Sequence, residues 1–68
     1  MSVAKITEIK SSSLISFDDA IKEGLKKTAE TIENLTSAWV RDQEVLVDGK
    51  GNIIEYRVLL KVTFIVKD

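Results

Sequence analysis

Residues 54–67 read IEYRVLLKVTFIVK, and this stretch decides the fold because an apolar residue recurs at every second position. Side chains of a β-strand alternate between two faces, so residues at alternate positions share one face. The residues that share the apolar face are Ile54, Tyr56, Val58, Leu60, Val62, Phe64 and Val66. The intervening positions include Glu55, Arg57, Lys61, Thr63 and Lys67. The stretch therefore predicts a long strand with one buried face.

A turn and a second strand precede this segment. Residues 48–52, DGKGN, contain two glycines between Asp and Asn, which is typical of a hairpin turn. Residues 37–47 alternate with period two, so a hairpin without a bulge places Val47 opposite Ile53. In that register the pairs on the face away from the helix are Gln43 with Arg57, Arg41 with Leu59, and Trp39 with Lys61.

An amphipathic helix is predicted before the hairpin. Ser16 with Asp19 three residues later has the spacing of a capping box. Apolar residues then recur at steps of three or four, so we expect about five turns ending near Asn34. The first ten residues are rich in β-branched side chains and predict a short strand, with residues 11–13 as the connection. The predicted order is β-α-β-β, an α+β fold.

The composition restricts the chemistry. A chain of 68 residues holds one domain, residues 1–68. It contains no cysteine and no histidine, which excludes disulfides, thiolate nucleophiles, zinc fingers and the commonest general base. Asp42 and Glu44 form the one acidic pair predicted on a single strand face. Such a pair can in principle act as acid and base, but we interpret these two as edge residues in intersubunit salt bridges. We therefore expect a protein that is not an enzyme.

The charge pattern argues against two classes of partner. The chain has 10 basic and 11 acidic residues with interspersed signs, so it lacks the basic stripe of a nucleic-acid-binding protein. No apolar run approaches the ~20 residues that span a bilayer. The amino terminus also lacks the apolar core of a signal peptide, so we expect a cytoplasmic protein.

The small size of the chain leads us to expect self-association. A chain of about 60 residues buries only roughly 60% of its unfolded surface. Disulfides are excluded, yet 44% of the residues are hydrophobic. One helix covers only one face of a sheet, and the other face carries Trp39, Val45, Leu59 and Ile65 among its charges. That mixture indicates a protein interface.

One set of residues on this second face has the character of a binding site, namely Trp39, Gln43, Arg57 and Lys61. An indole offers a flat stacking surface, and neighbouring cations and an amide bind the polar edges of a planar ligand. The alternative is a tryptophan packed in a subunit interface, with the cations in salt bridges. From the residues alone the interface is favoured.

The chain resembles the dodecins over almost its whole length. The resemblance rests on the β-α-β-β order and on residues 3–9 (VAKITEI), 16–20 (SFDDA), 39–43 (WVRDQ) and 55–58 (EYRV). It implies a three-stranded antiparallel sheet wrapped partly around one helix, and twelve copies assembled into a hollow homododecamer. It also implies a binding or storage function, with flavin (FMN or riboflavin) held at subunit interfaces.

Two signature positions of flavin-binding dodecins differ here. Ser37 stands where those members carry the stacking tryptophan, and Trp39 follows two residues later. Arg57 replaces their flavin-contacting glutamine. The chain thus looks like a variant that lacks the usual stacking position. The ligand-binding residues that we predict are Ser37, Trp39, Gln43, Arg57 and Lys61.

Two other functions stay open from the sequence. One is a dodecin-like assembly that binds no flavin and has a structural, calcium-binding or anion-binding role. The carboxylates of Asp42 and Glu44 would permit an oxygen-ligand site at an axis of such an assembly. The other is an accessory subunit that docks on another protein.

Overall fold

The long strand predicted near the end of the chain forms the centre of an antiparallel sheet. A computed structural model describes residues 3–67. Its elements are β1 (Val3–Ser13), α1 (Phe17–Ala29), β2 (Leu35–Val47) and β3 (Ile53–Val66). The strand order is β1-β3-β2, and both outer strands run antiparallel to β3. The predicted β-α-β-β order and three-stranded sheet are confirmed.

The core lies between β3 and α1. Val58, Leu60 and Val62 are buried on the face of β3 that meets the helix, where Ala20 of α1 is also buried. Partly buried apolar residues surround them, namely Ile9, Phe17, Ile21, Leu25, Leu35 and Ala38. The predicted apolar face is therefore correct at its centre. Its two ends, Ile54 and Val66, are exposed because α1 is shorter than β3.

The helix begins where the sequence predicts and ends earlier. Ser16 is the N-cap, and its hydroxyl accepts a hydrogen bond from the Asp19 amide at 3.0 Å. The predicted end near Asn34 is wrong, since α1 ends at Ala29. Both the Thr31 and Ile32 amides donate to the Thr28 carbonyl, which closes the helix in a tight turn. Within the described part of the chain, no helix has the length and apolar character needed to cross a bilayer.

The first strand is longer than predicted because the serine run belongs to it. Residues 11–13 pair with β3, so the connection to α1 is residues 14–16. The Ser13 hydroxyl accepts from the Ile15 amide at 2.9 Å and donates to Asp19 Oδ2 at 2.7 Å. Ser11 donates to the Ala20 carbonyl at 2.7 Å. Each of these serines thus ties β1 to the first turns of the helix.

Gly24 sets the distance between α1 and β1. A Cβ atom at this position would lie 2.8 Å from Ser11 Cβ and 2.9 Å from Ser11 Oγ. Contacts that short require a shift of the helix or the strand, because Cβ is fixed to the backbone. The line of small residues at Ala20 and Gly24 therefore lets α1 pack closely against the sheet.

The β2–β3 register differs from the predicted one in its middle. Val47 pairs with Ile53 and Trp39 with Lys61, as predicted. Between these pairs the ladder shifts by one residue near the hairpin and shifts back at Arg41. The predicted pairs Gln43–Arg57 and Arg41–Leu59 are therefore wrong. The observed partners are Gln43 with Val58, Asp42 with Leu59, and Glu44 with Arg57.

The chain is elongated and leaves one face of the sheet uncovered. Its extents are 53 × 19 × 13 Å and its radius of gyration is 14.1 Å, against about 11 Å for a compact chain of this length. It exposes 5097 Å² of surface, whereas a compact protein of this mass exposes about 4,300 Å². We call the uncovered surface, opposite α1, the open sheet face.

The hairpin loop is held by one carboxylate. Asp48 Oδ1 accepts from the Lys50 amide at 2.8 Å and from the Asn52 amide at 3.0 Å. Asp48 Oδ2 accepts from Asn52 Nδ2 at 3.1 Å. Gly51 has a φ of 86°, which glycine adopts without strain. These hydrogen bonds, with that from the Asn52 side chain foremost, lower the pKa of Asp48 below its ordinary 3.8.

We predict that Gly24→Leu destabilises the protein by about 1–3 kcal/mol, since the added side chain meets Ser11 of β1. Lys22→Leu is the matched control, because Lys22 is exposed on the same helix and should change stability by less than about 0.5 kcal/mol. Urea unfolding at one fixed protein concentration measures both variants. Equal stability of Gly24→Leu and wild type would contradict the close packing.

We predict that Asp48 titrates below pH 3.8 in the folded protein. A lowered folded pKa means that the contribution to stability is present above the unfolded pKa and is lost as the pH falls through the folded pKa. NMR titration of the Asp48 carboxyl carbon measures it. Asn52→Ala should raise this pKa, whereas Lys50→Gln keeps the backbone donor and should leave it nearly unchanged. An unchanged pKa in Asn52→Ala would contradict the prediction.

Candidate functional site

The open sheet face is organised in rows of three residues, one from each strand. Register with β3 defines the rows, because directly opposite residues of neighbouring strands share a face. From one end, the rows are Ile6–Thr63–Ser37, Glu8–Lys61–Trp39, Lys10–Leu59–Asp42 and Ser12–Arg57–Glu44. The face therefore combines one large aromatic side chain with charges of both signs.

Three of the predicted site residues lie together on this face. Trp39 is 58% exposed, although tryptophan is mostly buried in folded chains. Lys61 lies directly opposite it, which places their Cβ atoms about 5 Å apart. Ser37 precedes Trp39 by two residues on the same face and is also exposed. The indole is thus accessible beside a cation and a small hydroxyl side chain.

Gln43 does not join this group. It pairs with Val58, which is buried against the helix, so Gln43 lies on the helix side of the sheet. The extra residue at Arg41 reverses the alternation of β2, and every position from Asp42 to Leu46 is reversed with it. The prediction that Gln43 shares a face with Trp39 is therefore wrong within one chain.

Arg57 lies on the open sheet face but away from the indole. It stands four residues from Lys61 on β3, which corresponds to about 13 Å along the strand. Its Nε donates to Glu55 Oε2 at 2.6 Å, and Glu44 is its cross-strand partner. The Glu55 carboxylate therefore holds this guanidinium about 13 Å along the strand from the Trp39 row.

The residue in the bulge connects the two outer strands. Arg41 Nη1 lies 3.8 Å from Glu8 Oε1, so its side chain extends from β2 across β3 to β1. That path covers two strand spacings, or about 10 Å. The two side chains meet on the open sheet face, and both are about half exposed.

The sequence did not reveal two grooves. One, of about 400 Å³, is lined mainly by Lys10, Asp42, Glu44, Arg57 and Leu59 of the open sheet face. Lys10 lines this groove because it pairs with Leu59 of β3. The sequence does not predict that pairing, since no hairpin turn joins β1 to β3. The other, of about 380 Å³, lies beside the end of α1 and is lined mainly by Leu25, Ala29, Leu35, Ser37, Ala38 and Val62. It exists because the helix ends at Ala29.

Asp42 and Glu44 share one strand face as predicted, but the bulge places them on the open sheet face and not on the helix side that the predicted register gives. Asp42 and Glu44 are both exposed, and both pair with residues of the open sheet face. Among residues 3–67, no three acidic, histidine or cysteine side chains are grouped closely enough to hold a metal ion. A cation site built on this pair would need oxygen ligands from a second copy.

The usual flavin contacts of the dodecins do not fit these residues. Ser37 offers no ring at the stacking position, and Arg57 is engaged by Glu55. Trp39 and Lys61 provide a stacking surface at a different place, one row further along the sheet. A planar ligand on this chain would therefore lie over the Trp39 row.

Comparison with known proteins agrees with this architecture. The family model described as Dodecin matches residues 3–67. A calcium dodecin from Mycobacterium tuberculosis is 33% identical over 64 residues, which cover 94% of this chain and 89% of the relative.

Solved structures match over nearly the full length. Dodecin from Streptomyces davaonensis is 25% identical with a TM-score of 0.92, covering 98% of this chain and 97% of that one. The calcium dodecin of Mycobacterium tuberculosis, described as calcium chelating, is 30% identical with a TM-score of 0.82, covering 97% and 93%. Fold, strand order and sequence agree, and the chain belongs to the dodecin family.

Proposed function

We propose that this chain forms a cytoplasmic, hollow homododecamer that binds and stores a small planar ligand without catalysing a reaction. The observation that carries the proposal is Trp39, exposed on a sheet face that none of the elements within residues 3–67 covers. An exposed indole beside a cation is a stacking surface for an aromatic ring system.

Assembly is supported by the amount of apolar surface that one chain exposes. Leu14 and Ile15 are 78% and 73% exposed, and Ile53 and Ile54 are each about half exposed. These residues cluster where β1 ends and β3 begins, since Ser13 pairs with Tyr56. Contiguous exposed apolar residues of this kind mark protein interfaces. Family membership favours twelve copies.

The ligand is inferred from the Trp39 row. Ser37 is small, so no large side chain from β2 stands in the row next to Trp39. Lys61 supplies hydrogen-bond donors beside the indole. Flavin, as FMN or riboflavin, is the first ligand to test because its ring is planar and carries polar edges. The stacking residue in this proposal is Trp39, two positions after the usual one.

We predict that FMN or riboflavin quenches the fluorescence of Trp39, the one tryptophan of the chain. Trp39→Ala should weaken binding between about fivefold and 150-fold, since stacking of a base on an aromatic side chain contributes about 1–3 kcal/mol. Flavin fluorescence measures binding by the variant. Arg57→Gln is the control, and we expect a change of less than about twofold because Arg57 lies about 13 Å away.

Either of two results would contradict the stacking role. Unchanged flavin affinity in Trp39→Ala would show that the ring lies elsewhere. Loss of the oligomer in Trp39→Ala, followed by light scattering, would show instead that the indole is an anchor between subunits, as expected for truncation of a buried aromatic residue.

A second candidate function is calcium binding by an assembly that holds no flavin. The relative named calcium dodecin favours it, and so does the exposed pair Asp42 and Glu44. Calcium takes six to eight oxygen ligands, which two carboxylates of one chain do not supply. Copies that meet at a symmetry axis would bring several such pairs together.

For this candidate we predict that the double variant D42N, E44Q loses at least about tenfold in Ca²⁺ affinity, equal to about 1.4 kcal/mol. Isothermal titration calorimetry of the assembled protein measures it. The matched control is Glu23→Gln, which removes an exposed carboxylate from α1 and should leave Ca²⁺ binding unchanged. Equal Ca²⁺ affinity of the double variant and wild type would contradict a site at this pair.

A further inference from the structure

The row that contains Trp39 carries an excess of positive charge. Glu8, Lys61 and Trp39 lie side by side across β1, β3 and β2. Arg41 pairs with Glu8. Lys61 is therefore the charged residue directly opposite the indole, and the Arg41–Glu8 pair lies at the β1 end of the same row.

Lys61 is the cation that remains available in this row. Arg41 and Glu8 pair with each other at 3.8 Å, whereas Lys61 has no carboxylate oxygen within 4 Å among residues 3–67. It is only partly buried, so its ammonium group retains access to solvent. The neighbouring row on one side, with Ile6, Thr63 and Ser37, is uncharged.

The other neighbouring row does not cancel this charge. Lys10 and Asp42 stand at its two ends with Leu59 between them, and they balance one another. That row lies two residues along β3, about 7 Å from Lys61. The local charge next to the indole is thus positive.

A ring stacked on Trp39 would bring its edge over Lys61, since the two side chains start about 5 Å apart. An ammonium group has three donors and no acceptor. It favours acceptor atoms and negative charge, and it disfavours donors and cations. The energy of such a half-exposed contact is modest and depends on salt.

We propose that Lys61 makes the Trp39 row selective for planar ligands that carry a negative charge on the ring or on a group one methylene away from it. This inference rests on the proposed planar-ligand site. It goes beyond that site by naming the charge of the ligand and the residue that selects it.

The test compares two flavins that share the same isoalloxazine ring system and differ in the group at N10. Lumiflavin carries a methyl group at N10, and 10-carboxymethylflavin carries a carboxymethyl group there, so a short tether holds the charge near the ring. We expect the carboxylate to bind at least about threefold more tightly to the assembled wild-type protein at low salt. The preference should shrink between about 20 mM and about 500 mM salt.

Variants of Lys61 distinguish a role in selecting the charge of the ligand from a role in the structure of the assembly. Lys61→Gln should abolish the preference by weakening binding of the carboxylate while lumiflavin affinity changes less than about twofold. Lys61→Arg retains the charge and should retain the preference. Lys22→Gln makes the same charge change on an exposed helix position and should have no effect. Light scattering confirms that each variant is assembled.

Each contrary outcome has a definite meaning. Equal affinity of wild type for the two flavins overturns the role of Lys61 and leaves the planar-ligand site intact. Equal weakening of both flavins by Lys61→Gln assigns Lys61 a merely structural role and also overturns the inference. Failure of assembled wild type to bind either flavin overturns the proposed planar-ligand function, and the inference with it.

Discussion

One short helix packs against one face of a three-stranded sheet and is too short to cover even that face. The rest of the structure depends on this incomplete coverage. Helix α1 has 13 residues, whereas β3 has 14 residues in the extended conformation and is therefore more than twice as long. The helix covers the middle of β3 on one side, where Val58, Leu60 and Val62 are buried. Both ends of that side and the opposite face stay uncovered by the described residues 3–67. Self-association would stabilise a chain with a core this small.

The extra residue at Arg41 decides what the uncovered face presents. Without it, β2 would place Gln43 beside Trp39 and turn Asp42 and Glu44 toward the helix side. With it, both carboxylates lie on the open sheet face and the amide lies on the other. The Arg41 side chain at the bulge also lies on the open sheet face, where it pairs with Glu8 of the far strand. One extra residue thus replaces the Gln43 amide on this face with the two carboxylates of Asp42 and Glu44.

Much of the fold follows from local patterns, and most of the site does not. The alternation in β3 and the cap at Ser16 are strong sequence signals, because each depends only on residues close together in the chain. The hairpin was correct at Val47–Ile53 and again at Trp39–Lys61, because two register shifts compensate. Neither shift has a sequence signal: no glycine marks Arg41, and a bulge depends on partners far along the chain.

The early end of the helix and the long first strand have different causes. Thr28 donates its hydroxyl to the Gly24 carbonyl, and its own carbonyl accepts the closing hydrogen bonds. The serines of β1 belong to the strand because they pair with residues 56–58 of β3, and Ser11 also lies against Gly24 of α1. The end of the helix therefore rests on local hydrogen bonds around Thr28. The strand assignment of the serines rests on tertiary contacts, which override their polar character.

The most direct test of this account is the mass of the protein in solution, measured by light scattering across a range of concentrations alongside the circular dichroism spectrum. The account predicts a folded species of about 91 kDa, twelve times the 7.6 kDa of one chain, and loss of folded signal wherever the mass falls to that of the monomer. A folded monomer of 7.6 kDa that persists at micromolar concentration would contradict it.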